Sequence, residues 1–290
     1  MHGFLNIDKP AGITSHDVVA RVRRLARQKR VGHAGTLDPA ATGVLVLALG
    51  NATRLIEYVQ DATSKRYLAT VQLGAATTTD DAEGEVVARA PVPALDGQAI
   101  EALLERFRGE ILQVPPMYAA LHHQGRRLHE LARAGIVVDR EARPVSIQRL
   151  SLLDHTPDTL TLDVLCGKGT YIRSLARDIG AALGCGAHLA ALRRTAVGQF
   201  GIASAAQLAD LEAHPDALTQ ALRPPEDAVS DWPAATVEGE AARRVRNGMP
   251  IELVGIAGDR ARLHTPDGVL LALARRAGER WQPEKVFDWS

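Results

Sequence analysis

The stretch Gly32-His33-Ala34-Gly35-Thr36-Leu37-Asp38-Pro39-Ala40-Ala41-Thr42-Gly43 decides how this chain is read. Glycines and a proline punctuate Gly32 to Pro39 as a loop, and they surround a lone carboxylate. An apolar run from Gly43 to Gly50 follows, at the length of a buried strand. Pro39 pushes Asp38 towards extended geometry, and the glycines let another backbone approach closely. A carboxylate held on such a loop can act as nucleophile or base. An aspartate before proline can also be a plain turn residue.

Working outward, Gly3 to Asp8 reads as a strand that ends in the turn Lys9-Pro10-Ala11-Gly12. Thr14 or Ser15 can cap a helix with Val18, Val19, Val22, Leu25 and Ala26 at helical spacing. On the other side, Tyr67, Ala69, Val71 and Leu73 alternate, as do Leu160, Leu162, Val164 and Cys166, so two further strands are expected. Asp96 can cap a helix with Ile100, Leu103, Leu104 and Phe107 on one stripe, stopped by Gly109. Thr170 to Ala182 has helix period. Pro115-Pro116 opens a basic, histidine-bearing stretch to about Pro144 that reads as an insertion. Pro224-Pro225 and Pro233 mark a linker to a glycine-punctuated tail that suits a compact β module. Strands and helices mix without regular βαβ spacing, so the expected class is α+β.

Composition bounds the function. The 290 residues suit one large domain and a small one, or two medium ones, and 46% apolar residues supply a conventional core. The longest apolar run, Val44 to Leu49, is far shorter than the roughly 20 residues of a membrane-spanning helix. The N-terminus lacks a basic flank followed by an apolar stretch, so no signal peptide is expected. Cys166 and Cys185 are the only cysteines and form no Cys-x-x-Cys pair, which fits a reducing cytoplasm. The ten histidines show no metal-ligand spacing, and no metal is expected.

Net charge is zero, but its distribution is uneven. Arg21, Arg23, Arg24, Arg27, Lys29 and Arg30 run together without an acid, and Arg126-Arg127, Arg193-Arg194 and Arg243-Arg244 with Arg246 add shorter clusters. Acids gather in Asp80-Asp81-Ala82-Glu83-Gly84-Glu85. Such segregation can present a basic face to phosphates, or only a solvated helix face. In Gly167-Lys168-Gly169-Thr170-Tyr171-Ile172-Arg173, the places that a triphosphate loop needs for Gly and Ser or Thr hold Leu162 and Gly169. Arg173 falls in the first helical turn, where a cation is disfavoured, so it is either matched to an anionic partner or an ordinary surface residue. Lys65-Arg66-Tyr67 sets an aromatic beside two cations, which suits stacking on a base with phosphates nearby, or a core tyrosine.

Together these segments resemble the bacterial TruB-type pseudouridine synthases. The resemblance rests on Gly3-Phe4-Leu5-Asn6-Ile7-Asp8-Lys9-Pro10-Ala11-Gly12, the Asp38 loop and Lys65-Arg66-Tyr67. It continues through Val114-Pro115-Pro116-Met117-Tyr118, Arg127-Leu128-His129-Glu130-Leu131, Gly169-Thr170-Tyr171-Ile172-Arg173 and Ala187-His188-Leu189-Ala190-Ala191-Leu192-Arg193-Arg194, in one order from about residue 3 to 200. The tail resembles, less specifically, the PUA RNA-binding module.

The resemblance implies a mixed-sheet catalytic domain over 1–230, with a thumb-like insertion at about 115–144, and a PUA-like domain over 234–290. It implies isomerisation of uridine at position 55 in the T-arm of tRNA, by a cytoplasmic monomer needing no cofactor and no protein partner. Asp38 would be the catalytic aspartate and Arg173 its ion-pair partner. Tyr67 would stack on the uracil, while Tyr171, Leu192 and His33 would line or buttress the pocket. The family usually has Thr at Ala34, Lys at His122 and Tyr at His129, departures that bear on RNA affinity more than on chemistry. Three alternatives remain. They are a dyskerin-like guide-RNA-dependent synthase, an RNA-binding or RNA-folding protein whose role needs no catalysis, and a glycosidase using Asp8 with Asp38.

Overall fold

The computed structural model describes residues 1–61, 64–119, 122–123, 126–127, 136 and 138–289. Much of the expected insertion, including 120–121 and 128–135 with His129, lies outside the described residues. Strands β1 (Gly3–Lys9) and β2 (Thr42–Leu49) pair antiparallel, with Phe4 opposite Ala48 and Ile7 opposite Leu45. Their residues alternate between two cores. Leu5, Ile7, Leu45 and Leu47 pack against Val18, Val19 and Val22 of helix α1 (Ser15–Leu25). Phe4, Val44, Val46 and Ala48 pack on the opposite face against Leu55, Phe200 and Trp232. Burial on both faces explains why β2 reads as one unbroken apolar run.

Helix α1 starts where its sequence signals it. The Thr14 side chain accepts from the Asp17 backbone at 3.0 Å, and the Asp17 carboxylate accepts from the Thr14 backbone at 2.8 Å. This reciprocal pair satisfies two otherwise orphaned donors.

The remaining long strands are β3 (Lys65–Leu73), β4 (Gly109–Gln113), β5 (Arg143–His155), β6 (Thr159–Cys166) and β7 (Ala187–Val197). They extend an eleven-stranded sheet in the order β1-β2-β7-β3-β6-β5-β4, with Ala206–Gln207 beyond β1. Helices α2 (Gly97–Leu104, capped by Asp96) and α3 (Ile172–Leu183) contribute Ile100, Leu104, Leu175 and Ile179 to the core against β3, β5 and β6.

Neighbours along this path are antiparallel, except that Ala206–Gln207 runs parallel to β1 and β2 parallel to β7. The central parallel pair sets Arg194 opposite Gly43. Gly43 has φ +99°, and a Cβ there would lie 2.2 Å from the Arg194 carbonyl oxygen. Only glycine lets the two strands meet at this point.

A second sheet contains β8 (Ala234–Thr236), β9 (Arg260–His264), β10 (Leu270–Ala277) and β11 (Arg280–Val286) in that order. It packs with helix α4 (Gly239–Arg246) around Trp281, Val245 and Leu263. The class is thus α+β with a β-rich C-terminal module, as the sequence suggests. Two local expectations need correction. The proline-rich connection is not a loose linker: Leu222–Arg223 pairs with β1, and Ala228, Val229 and Trp232 are buried in a core shared with Leu270, Leu273 and Phe287. Gly32 and His33 belong to a short strand, Val31–His33, so the loop proper begins at Ala34. Among the described residues no helix is long and apolar enough to cross a membrane.

Candidate active site

The Asp38 loop is fastened from three sides. Lys9, with no exposed surface, donates from Nζ to the carbonyls of Pro10 (2.9 Å), Ile13 (2.8 Å) and Pro39 (3.1 Å). Burial lowers its pKa, and the charge of Asp38 acts against that shift. Ser15 Oγ donates to the Leu37 carbonyl at 3.0 Å and accepts from the Leu37 N–H at 2.9 Å. Arg194, also fully buried, donates to the carbonyls of Val44 (2.7 Å), Gly35 (3.0 Å) and Thr36 (3.4 Å). Buried cations spread over several carbonyls satisfy the donors and fix the backbone that presents Asp38.

The loop borders a pocket of about 340 Å³ that Asp38, Tyr67, Tyr171, Arg173 and Leu192 all line, together with Lys65 and Arg194. That is the size of a small-molecule site. Arg173 Nε lies 3.2 Å from Asp38 Oδ2, Nη1 lies 3.3 Å from Asp81 Oδ2, and Nη2 donates to the Tyr118 carbonyl at 2.7 Å. The anionic partner that offsets a cation in the first turn of α3 is therefore a pair of carboxylates within the protein. One turn further on, Arg177 holds Asp80 at 2.9 Å.

Tyr67 is buried, and burial raises its pKa while a hydrogen bond with Arg194 opposes the rise. Burial likewise raises that of Tyr171, against Arg173. Both phenols stay neutral at physiological pH. Gln113 holds Tyr171 in place, accepting from its N–H at 2.8 Å and donating to its carbonyl at 3.1 Å.

Of the two roles expected for His33, lining the pocket or buttressing it, the first is not seen: it is not among the lining residues, and it sits edge-on to His16 at 5.4 Å between ring centroids, with its pKa lowered by burial, His16 and Arg194. Other expectations change. Of the two cations flanking the aromatic, Arg66 points to the other face of β3. There it grips Asp163 through bonds of 2.7 and 2.9 Å, so only Lys65 faces the pocket. Asp8 does not line the pocket either: it accepts from Arg193 at 2.7 Å and Gln207 at 2.9 Å, which removes it as a partner carboxylate for Asp38. Arg193-Arg194 is not a surface cluster, because one pairs with Asp8 and the other is buried.

The sequence reading missed Lys9, Ser15, Arg194, Asp81 and Gln113 as positioning residues. Lys9 stood out only as part of a turn, and Asp81 only as part of an acidic run.

Comparison with known proteins gives this geometry its context. Residues 23–172 match the TruB family pseudouridylate synthase N-terminal domain. Residues 173–230 match the tRNA pseudouridylate synthase B C-terminal domain, and 232–288 the C-terminal domain of tRNA pseudouridine synthase II. A protein of Dehalococcoides mccartyi named tRNA pseudouridine synthase B is 45% identical over 291 residues, covering 99% of this chain and 97% of its own. The protein of that name from Thermobifida fusca is 46% identical over 296 residues, covering 99% of both chains. Among solved structures, a chain of a Cbf5-Nop10-Gar1 complex superposes with a TM-score of 0.75 at 29% identity, covering 99% of this chain and 85% of that one. The fold and sequence are those of a pseudouridylate synthase. Within that class, the chain belongs to the TruB family.

Proposed function

We propose that this protein isomerises uridine to pseudouridine at position 55, in the T-arm loop of tRNA, with Asp38 as the catalytic carboxylate. The observation that carries this reading is the fixed Asp38–Arg173 pair beside the buried face of Tyr67, in a chain whose full-length relatives are named tRNA pseudouridine synthase B.

The mechanism follows from what these residues can do. A uridine in a folded loop hides its glycosidic bond, so it must be extruded at a cost of a few kcal/mol of unstacking. Stacking on Tyr67 offsets part of that, and Leu192 and Tyr171 close around the base. Asp38 then promotes scission of the N1–C1′ bond, by attack at C1′ or by removal of the C2′ proton to give a glycal. The uracil turns in the pocket, C5 bonds to C1′, and the C5 proton leaves while N1 takes one up. Arg173 holds the carboxylate in its orientation. No cofactor is required, because the base never leaves and no redox change occurs.

In this reading residues 1–230 form the catalytic domain, the segment at about 115–144 grips the T-arm, and 234–290 form a PUA-like RNA-binding domain. The protein acts in the cytoplasm as a monomer, with tRNA as its macromolecular partner. A second reading, action within a guide-RNA particle, has support from the likeness to the chain in the Cbf5-Nop10-Gar1 complex. The higher identity to tRNA pseudouridine synthase B relatives, across nearly all of both chains, favours the stand-alone enzyme.

The test is incubation of the protein alone with an unmodified tRNA transcript, followed by mapping of pseudouridine. Product at the T-arm position, absent with Asp38→Asn, is the expected result. Residual turnover of Asp38→Asn within tenfold of wild type, only about 1.4 kcal/mol of barrier, would remove Asp38 from the chemistry.

A further inference from the structure

Lys65 enters the pocket from the first residue of β3, two residues before Tyr67 and therefore on the same face of the strand. It is partly buried. An ammonium has three donors. Among the described residues, the hydrogen bond found for its Nζ is a long one, 3.4 Å to the Gln60 carbonyl. The other cations lining the cavity are better matched: Arg173 by two carboxylates and a carbonyl, Arg194 by three carbonyls. Asp61, whose charge reaches Lys65, is itself paired with Lys168 at 3.4 Å. Gly35, at φ +100°, carries no side chain between the loop and this lysine, whose Cε would stand 3.7 Å from a Cβ there. A partly buried cation whose spare donors face a substrate pocket is placed to take an acceptor from the ligand.

We infer that Lys65 is a catalytic residue of the reaction proposed above, on which this inference rests: its ammonium donates to the uracil carbonyl oxygen that carries negative charge once the N1–C1′ bond breaks. Either role for Asp38 leads to the same charge. If Asp38 attacks C1′, an ester bond forms, N1–C1′ breaks and its electron pair stays on uracil. If Asp38 removes the C2′ proton, the C2′–H pair becomes the C1′=C2′ bond, and the N1–C1′ pair again stays on uracil. The negative ring spreads that charge onto its carbonyl oxygens. Formation of the C5–C1′ bond, which releases the Asp38 carboxylate or is matched by return of the proton to C2′, neutralises the ring, and loss of the C5 proton with uptake of a proton at N1 completes pseudouridine. The charge exists only between the two glycosidic bonds, so Lys65 acts on the barrier rather than on binding. A phosphate is the less suitable acceptor. Lys65 leaves the strand on the face of Tyr67 and lines the same pocket, so it neighbours the ring that Tyr67 would stack.

The experiment compares wild type, Lys65→Met, Lys65→Gln, Lys65→Arg and Asp38→Asn on one tRNA transcript, with kcat, KM and the salt dependence of binding measured for each. The neutral variants are expected to lose kcat and kcat/KM together, on the order of 10²–10³-fold, with KM and salt slope unchanged. Lys65→Arg is expected to recover at least tenfold of that loss. A raised KM with a flatter salt slope and retained kcat would make Lys65 a phosphate contact and overturn the inference. Equal loss in Lys65→Arg and Lys65→Met, or loss of tRNA binding in both neutral variants, would reduce it to a packing role. Neutral variants at the wild-type rate would remove Lys65 alone. Failure of wild type to form pseudouridine, by contrast, would remove the parent reading.

Discussion

Asp81 meets Arg173 at 3.3 Å on the side away from Asp38, so one guanidinium ties the acidic turn to the Asp38 loop. Asp81→Asn keeps the shape of that contact and removes its charge. Arg173 should then sit less firmly against Asp38, and kcat should fall by about tenfold or more, while tRNA affinity stays near wild type. Single-turnover rates with saturating enzyme, beside a binding titration, check this. An unchanged rate would mean that Asp38 and the Tyr118 carbonyl suffice to hold Arg173.

Gly43→Ala should destabilise the fold by at least ~2 kcal/mol. The φ of +99° disfavours any side chain, and the new Cβ would collide with the Arg194 backbone. The shift in the urea midpoint gives the value. A change below about 0.5 kcal/mol, the scatter of ordinary surface substitutions, would show that β2 and β7 can separate freely.

Acidification should destabilise the protein through His33, which is partly buried. The folded pKa of His33 lies below the ordinary 6.5, so at and below about pH 6.5 the unfolded chain binds a proton that the folded chain refuses. Stability is therefore present above that pH and is lost as pH falls towards the folded value. His2 and His264 are shifted in the same direction and add to the slope. Melting curves at pH 7.5 and 5.5 should show the loss, and His33→Gln should make it smaller. An identical pH difference in the variant would assign the effect to the other two.

The basic end of α1 should contact tRNA phosphates. Arg23 donates to the Val31 carbonyl at 2.8 Å and Arg21 pairs with Glu212, which leaves Arg24, Arg27 and Lys29 around an open cavity of about 480 Å³. Replacing those three with Ala should weaken binding and flatten the plot of log affinity against log salt, by roughly 0.7–0.9 for each phosphate no longer neutralised. Turnover should suffer through KM. Affinity and slope equal to wild type would make this a solvated helix end.

Where periodicity and caps decide structure, the sequence was transparent. The Thr14 cap, the alternation from Tyr67 to Leu73 and the double-faced run of β2 follow from local chemistry. Asp38, Tyr67, Tyr171, Arg173 and Leu192 could be named, and they converge on one cavity. What stayed hidden depends on interactions between distant segments. Arg66 and Tyr67 are adjacent in sequence but leave the strand on opposite faces, which only the burial pattern of β3 separates. Arg194 looked like half of a surface pair, and its burial depends on the parallel register with Gly43. Asp8 and Asp38 looked equally available until Arg193 and Gln207 claimed the first.

The clasp between Arg194 and the Asp38 loop also sets a timetable for synthesis. Its donor and the Val44 carbonyl are 150 residues apart in the chain. On a ribosome, the loop emerges long before the arginine that fixes it, and the central parallel pairing has to wait with it. Non-local pairings of this kind close slowly, because the intervening chain must be ordered first. The nascent chain therefore carries Asp38 in a loop that only Lys9 and Ser15 can hold, and the Arg194 side of its fastening waits until about two-thirds of the protein has been made.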